Sequence, residues 1–240
     1  MPMPDDASGG RAMTATTLSS SIGKKAMMAA SGILLLGFVI AHLAGTLLVF
    51  AGQDALNAYA EKLRHFGPWL WVARAGLLAT AAVHVWVGIV LVRENRQARA
   101  VGYRKPAWRQ TTAAARTMAV TGALLALYVV YHLMHFTFQT AHPALAAGTD
   151  PLGRADVYTM VVRSFQDARI ALVYVAAMFF LALHLSHGIA STVQTLGLNT
   201  ERSIPVTARI GAGIAVLIFL GYAAIPVAIF FGAVRLPGAG

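Results

Sequence analysis

Cysteine is absent from the 240-residue chain. That excludes disulfides, thiolate metal centres and cysteine-bound iron–sulfur clusters, and it leaves the redox compartment open. Charge is scarce too. Only 12% of residues are Asp, Glu, Lys or Arg, about half the share of a soluble domain, and just nine are acidic. No stretch is long and polar enough to form a separate soluble domain, so chemistry that needs one must reside on another chain.

What remains is apolar, at 58% hydrophobic residues. Five runs, 26–51, 69–92, 113–138, 170–196 and 210–234, are each long enough to cross a ~30 Å hydrocarbon core, with length to spare for tilt. The expected fold is all-α, a polytopic membrane protein with five transmembrane helices bundled over residues 21–240. Residues 1–20, small and polar, read as a disordered tail. The apolar run after Lys24 and Lys25 exceeds the core of a cleaved signal, so it reads as a retained span.

Nineteen Lys and Arg give a net charge of +10. With the N-terminus cytoplasmic and the C-terminus outside, twelve of them fall on inner segments and seven on outer ones, following the positive-inside rule. This distribution argues for a multi-pass protein of the inner (cytoplasmic) membrane and against nucleic acid. The basic run "RENRQARAVGYRKPAWR" (93–109) then lies at the inner face. It serves as a topology signal in contact with anionic membrane lipid, and it also offers a docking surface to a cytoplasmic partner.

The first outer loop, "GQDALNAYAEKLRHFGP", is expected to be partly helical. The loop 139–169 is the longest, and within it Val157, Met160 and Val161 recur at helical spacing, predicting a short interfacial helix. "GLNTERSIP" reads as a tight connection. No internal repeat is evident on inspection.

Histidine is the unexpected component. Of eight, His65 and His142 fall in loops, whereas His42, His84, His132, His135, His184 and His187 fall inside spans, where ionisable groups are costly and functional. A helix rises ~1.5 Å per residue and successive spans alternate in direction, so these residues sort by depth. At the outer level His42 is paired with His132 or His135. At the inner level His84 is paired with His184 or His187. Each pair joins two helices, which is what a bis-histidine b-type haem requires. Gly45, Gly88 and Gly188 offer room for a macrocycle or for close helix packing. Arg74 and Arg169, at the outer ends of their spans, are candidates for propionate contacts to the outer haem. Two haems at two depths form an electron path across the bilayer.

Quoted in order, "SIGKKAMMAASG", "GFVIAHLAG", "LNAYAEKL", "HVWVGIVLVRENRQAR", "YHLMHF" and "HLSHGIASTVQTLGLN" resemble the di-haem cytochrome b membrane anchor of succinate:quinone oxidoreductases, the five-helix type related to fumarate reductase anchors. The likeness runs from about residue 20 to 234. It implies two haem b groups, an outer one on His42 and His132 and an inner one on His84 and His187. His135 and His184 would then adjoin the haems or a quinone. It implies an electron-transfer role with no succinate-oxidising site on this chain. The partners would be a flavoprotein subunit and an iron–sulfur subunit, and the electron acceptor menaquinone or ubiquinone. Related fumarate reductase anchors carry a glutamate two residues before the fourth-helix ligand, tied to proton movement. Leu185 stands there in this chain, so the resemblance does not carry that proton route over. Glu61 and Ser31 are weaker candidates for an outer and an inner quinone site.

Three other readings compete. A cytochrome b of another quinone-linked dehydrogenase would share the haems but not the succinate-linked partners. A histidine-lined metal transporter would need acids within the spans, and none of the nine lies mid-span. A haem-free structural anchor would tolerate single replacement of its histidines.

Overall fold

The computed structural model describes residues 20–97 and 113–238. Among them seven α-helices form: α1 (Ser21–Thr46), α2 (Gln53–His65), α3 (Pro68–Gln97), α4 (Ala113–His132), α5 (Val157–Gln166), α6 (Ala168–Thr195) and α7 (Ile204–Phe230). A 3₁₀ turn (Leu47–Ala51) extends α1, and a π-helical turn (Leu133–Thr137) extends α4. Five helices, α1, α3, α4, α6 and α7, are long and apolar enough to cross a membrane. The expected all-α bundle is therefore the observed one. Residues 1–19 of the expected tail and 98–109 of the basic run lie outside the described residues, while Arg93 and Arg96 are exposed at the end of α3.

Helices α1, α3, α6 and α7 begin before the apolar runs, because their starting signals lie upstream of them. Ser20 accepts a hydrogen bond from the Gly23 amide at 3.1 Å, which starts α1 five residues before the expected span. Pro205 lies in the first turn of α7, where its missing N–H costs nothing. Gly52, at φ +99°, lets the chain break sharply between the 3₁₀ turn and α2, a conformation open to glycine and strained for other residues.

Within the bundle α1 packs along α3, α4 along α6, and α6 along α7, whereas α3 and α4 meet only lightly. The bundle is thus two helical pairs with α7 laid against α6. At one end, called here the capped end, α2 and α5 pack on each other and close over the helix tips. The expected interfacial helix is present as α5, but it is enclosed more fully than expected. Tyr158, Met160, Val162 and Phe165 are all buried, because α5 is held between α2, α6 and α7.

A polar lattice ties the cap together. Asn57, fully buried, donates to Asp150 at 3.1 Å and Asp156 at 3.0 Å, and accepts from the Tyr158 amide at 3.0 Å. Burial works against ionising Asp156, but hydrogen bonds from Thr159, Asn57 and Gln53 outweigh it and hold the carboxyl below its usual value. At the opposite end an ion pair between Lys24 and Glu94 joins the start of α1 to the end of α3.

Asp167 caps α6, accepting from the Arg169 amide at 2.8 Å, while the Arg169 guanidinium pairs with its carboxylate at 2.8 Å. The pairing with Arg169 holds the carboxyl down to about 2, from an ordinary value of 3.8. The folded-state value is depressed, so the cap is complete above pH 3.8 and is lost as pH falls from there through about 2. Protection of the Arg169 amide against hydrogen exchange, corrected for intrinsic rate, is expected to fall over that window. Asp167→Asn should abolish the pH dependence. A flat profile in the wild-type protein would contradict the assignment.

Candidate metal centre built from two histidine pairs

Ionisable side chains inside these helices meet in two places. Near the capped end the imidazoles of His42 on α1 and His132 at the end of α4 have ring centres 5.9 Å apart. Deeper in the bundle the imidazoles of His84 on α3 and His184 on α6 have ring centres 6.3 Å apart. Ser31 marks the depth of the second pair, because its hydroxyl lies 3.0 Å from His84 Nδ1. From Ser31 to His42 along α1 is a rise of about 16 Å at ~1.5 Å per residue, so the pairs occupy two separate levels.

Both pairs bridge the two helical pairs. α1 and α4 make few or no close backbone approaches, nor do α3 and α6, yet their histidines reach each other. A metal held only by side chains needs three or four ligands, and among the described residues no group of three or more His, Cys, Asp or Glu is arranged to hold one. Two imidazoles suffice when a macrocycle supplies the remaining nitrogens. Two ring nitrogens each about 2.0 Å from one metal put the ring centres roughly 6 Å apart, which is the spacing of both pairs.

The hydrogen bonds bear on which ring nitrogen carries the hydrogen. A serine hydroxyl has one proton, and that of Ser31 goes to the Met27 carbonyl at 2.8 Å or the Met28 carbonyl at 3.1 Å. Ser31 therefore accepts from His84, whose Nδ1 carries the hydrogen, and the Met28 backbone also hydrogen-bonds that imidazole. Thr121 repeats the arrangement. Its hydroxyl donates to the carbonyls of Thr117 or Met118 at 3.1 and 3.2 Å and lies 3.3 Å from His184 Nδ1. In both imidazoles the Nε2 lone pair is left for a metal.

At the capped end a longer chain of donors does the same. Ser164 donates to the Met160 carbonyl at 2.7 Å, so it accepts from His135 Nε2 at 3.1 Å. A neutral His135 then accepts at Nδ1 from the Tyr174 hydroxyl, at 2.9 Å. With its proton so used, Tyr174 accepts from His132 Nδ1 at 3.4 Å. His42 is flanked instead by rings, with Phe38 stacked at 5.3 Å and Tyr222 at 6.2 Å.

Of the sequence candidates, the structure brings together His42 with His132 and His84 with His184. The resemblance implies His187 as the partner of His84, but the imidazole facing His84 belongs to His184. His187, half-buried one turn further along α6, makes no hydrogen bond or ring contact among the described residues. His135 is buried at 3% exposure, with both ring nitrogens engaged, and is no free ligand. Its divergence from His132 has a local cause. The π-helical turn, closed by Phe138 N–H to Leu133 C=O at 2.8 Å, widens the helix just after His132 and redirects His135 towards α5.

The arginines fare differently. Arg74 stacks on Trp71 at 4.9 Å and lines a cleft of about 700 Å³ together with Arg64, Phe136, Thr137 and Gln139. The cleft adjoins the turn that follows His132. Arg169 is 91% exposed and engaged by Asp167. Ser31 proves to be a hydrogen-bond partner of His84, while Glu61 is half-buried on α2. Of the glycines named for room, Gly45 is filled closely by Tyr59, whose ring a Cβ there would meet at 2.6 Å. Gly188 has open space beside it, and a Cβ at Gly88 would meet Met28 at 3.4 Å. Thr121 and Ser164 were not legible as functional residues, since helical Ser and Thr hydroxyls ordinarily bond their own backbone, and no spacing in the sequence pairs Tyr174 with a histidine.

Comparison with known proteins adds nothing to this geometry: no family model, no curated protein and no solved structure matches the chain.

Proposed function

We propose that the chain is a di-haem cytochrome b, the membrane anchor and electron-transfer subunit of a succinate:quinone oxidoreductase. In this reading His42 and His132 hold one haem b and His84 and His184 the other. The observation that carries it is the paired spacing, two imidazoles from different helices 5.9 and 6.3 Å apart at two depths, with Nδ1 of His84, His132 and His184 engaged by hydroxyls. The reading of the wider complex rests on the sequence resemblance.

The bound haems would supply one-electron chemistry; the chain's own task is to hold and tune them. Hydroxyls lie beside Nδ1 of three of the four histidines, Tyr174 at His132 among them. Such hydrogen bonds make an imidazole a stronger donor. Apolar side chains from four helices exclude water and lower the local dielectric. Arg74 on its cleft wall is the better placed of the two candidate cations for a propionate. With the N-terminus in the cytoplasm of a bacterial-type inner membrane, the capped end faces outside and the His84–His184 pair lies nearer the cytoplasm. A flavoprotein subunit and an iron–sulfur subunit would dock at that inner end, where Lys24, Lys25, Arg93 and Arg96 gather. Electrons would pass outward to menaquinone or ubiquinone.

The test is the native complex, isolated through this chain in mild detergent. Succinate is expected to reduce the b haems, and stripping the soluble subunits should abolish that reduction while leaving reduction by quinol. Haems reducible by quinol but never by succinate would instead assign the chain to another quinone-linked dehydrogenase.

A further inference from the structure

The structure exposes a repeat that inspection of the sequence misses. "SGILLLGFVIAHL" (31–43) on α1 and "TGALLALYVVYHL" (121–133) on α4 with its π turn are identical at six of thirteen positions. "HVWVGI" (84–89) on α3 and "HLSHGI" (184–189) on α6 share His-x-x-x-Gly-Ile. Contacts repeat with the letters. Ser31 bonds His84 as Thr121 bonds His184. A Cβ on Gly32 would lie 3.5 Å from His84 Cε1, and one on Gly122 3.4 Å from His184 Cε1. Phe38 flanks His42 and Tyr128 flanks His132, each one turn before it, at 5.3 and 5.8 Å.

An approximate two-fold axis along the bundle would relate the two halves, α1 with α3 and α4 with α6. A residue that meets its own equivalent lies on such an axis. His42 meets His132 and His84 meets His184, so that axis would run through both gaps.

We propose that Ser31 and Thr121 are a matched pair of positioning residues. Each would sit on one face of the deeper site, hold its histidine in the Nδ1–H tautomer and turn Nε2 onto the shared axis. This rests on the haem reading above and extends it to residues that touch no haem iron. Gly32 and Gly122 belong to the same device. A bare Cα beside each ring lets the neighbouring hydroxyl reach Nδ1 without pushing the imidazole off the axis.

The experiment uses the full-length chain, purified with haem supplied, as wild type, Ser31→Ala, Thr121→Ala, Ser31→Thr and Thr121→Ser. The readouts are haem per chain and the reduced fraction of each haem at fixed ambient potential. Loss of an acceptor from Nδ1–H weakens the imidazole as a donor and favours ferrous iron. Each alanine variant is expected to raise the reduced-to-oxidised ratio of the same single haem, on the order of tenfold or about 59 mV for a one-electron couple. The two shifts should agree in sign, that of Ser31→Ala being the smaller because the Met28 backbone still hydrogen-bonds His84, the second haem should stay unmoved, and the hydroxyl swaps should behave as wild type. Loss of that one haem in both alanine variants, restored by the swaps, would support the proposal equally. Two haems retained with no shift, or shifts on different haems, would overturn it while leaving the haem reading intact. A wild type without haem would overturn both.

Discussion

His184→Ala removes one of two haems, and His187→Ala leaves both. The expectation follows from geometry, because the ring facing His84 across 6.3 Å is that of His184. Removing either member of a two-histidine set would leave one imidazole to hold the haem and would open a void in an apolar site. His84→Ala is therefore expected to remove the same haem, and the double variant to lose no more than either single one, since residues acting as a unit are non-additive. The count is read from the reduced-minus-oxidised spectrum and from extracted haem per chain. If His187→Ala loses the haem and His184→Ala keeps it, the resemblance's assignment stands and the geometric one falls.

At the capped end the contrast lies between His132 and His135. His132→Ala is expected to remove the other haem and leave the His84–His184 site loaded. His135→Ala should keep both haems but destabilise the protein by about 2–5 kcal/mol, since it opens a cavity and leaves Tyr174 and Ser164 short of a buried partner. His132 loses the anchor of its own orienting chain in that variant. The haem it binds is thus expected to shift in potential although its ligand is untouched. Thermal unfolding together with a redox titration of each haem checks both effects. Loss of haem in His135→Ala with normal stability would make His135 the ligand instead.

The fold was legible because the five apolar runs are long and nearly free of charge, so element existence and type followed from length alone. The two histidine levels were legible for a related reason, as position along a span of known direction gives depth. Which member of each histidine couple faces its partner was not legible. Residues three apart on a regular helix lie on adjoining faces, so His184 and His187 could not be told apart by spacing. After His132 the helix widens into a π turn that nothing in "YHLMHF" announces. Arg169 looked like a free cation at a helix end, but Asp167, two residues before it, both caps α6 and engages the guanidinium. The repeat was hidden because leucine and valine matches carry little information in apolar helices. The two connections also differ in length, the second including α5, so the halves are offset by 90 residues in the first helices and 100 in the second.

The central claim is that the two histidine pairs each hold one haem. Its most direct test is haem b per chain in the purified wild-type protein, expressed with haem in excess and measured by haemochrome absorbance against protein mass. Two low-spin b haems per chain are expected. A colourless protein, or one haem that survives replacement of any single histidine among His42, His84, His132 and His184, would contradict it.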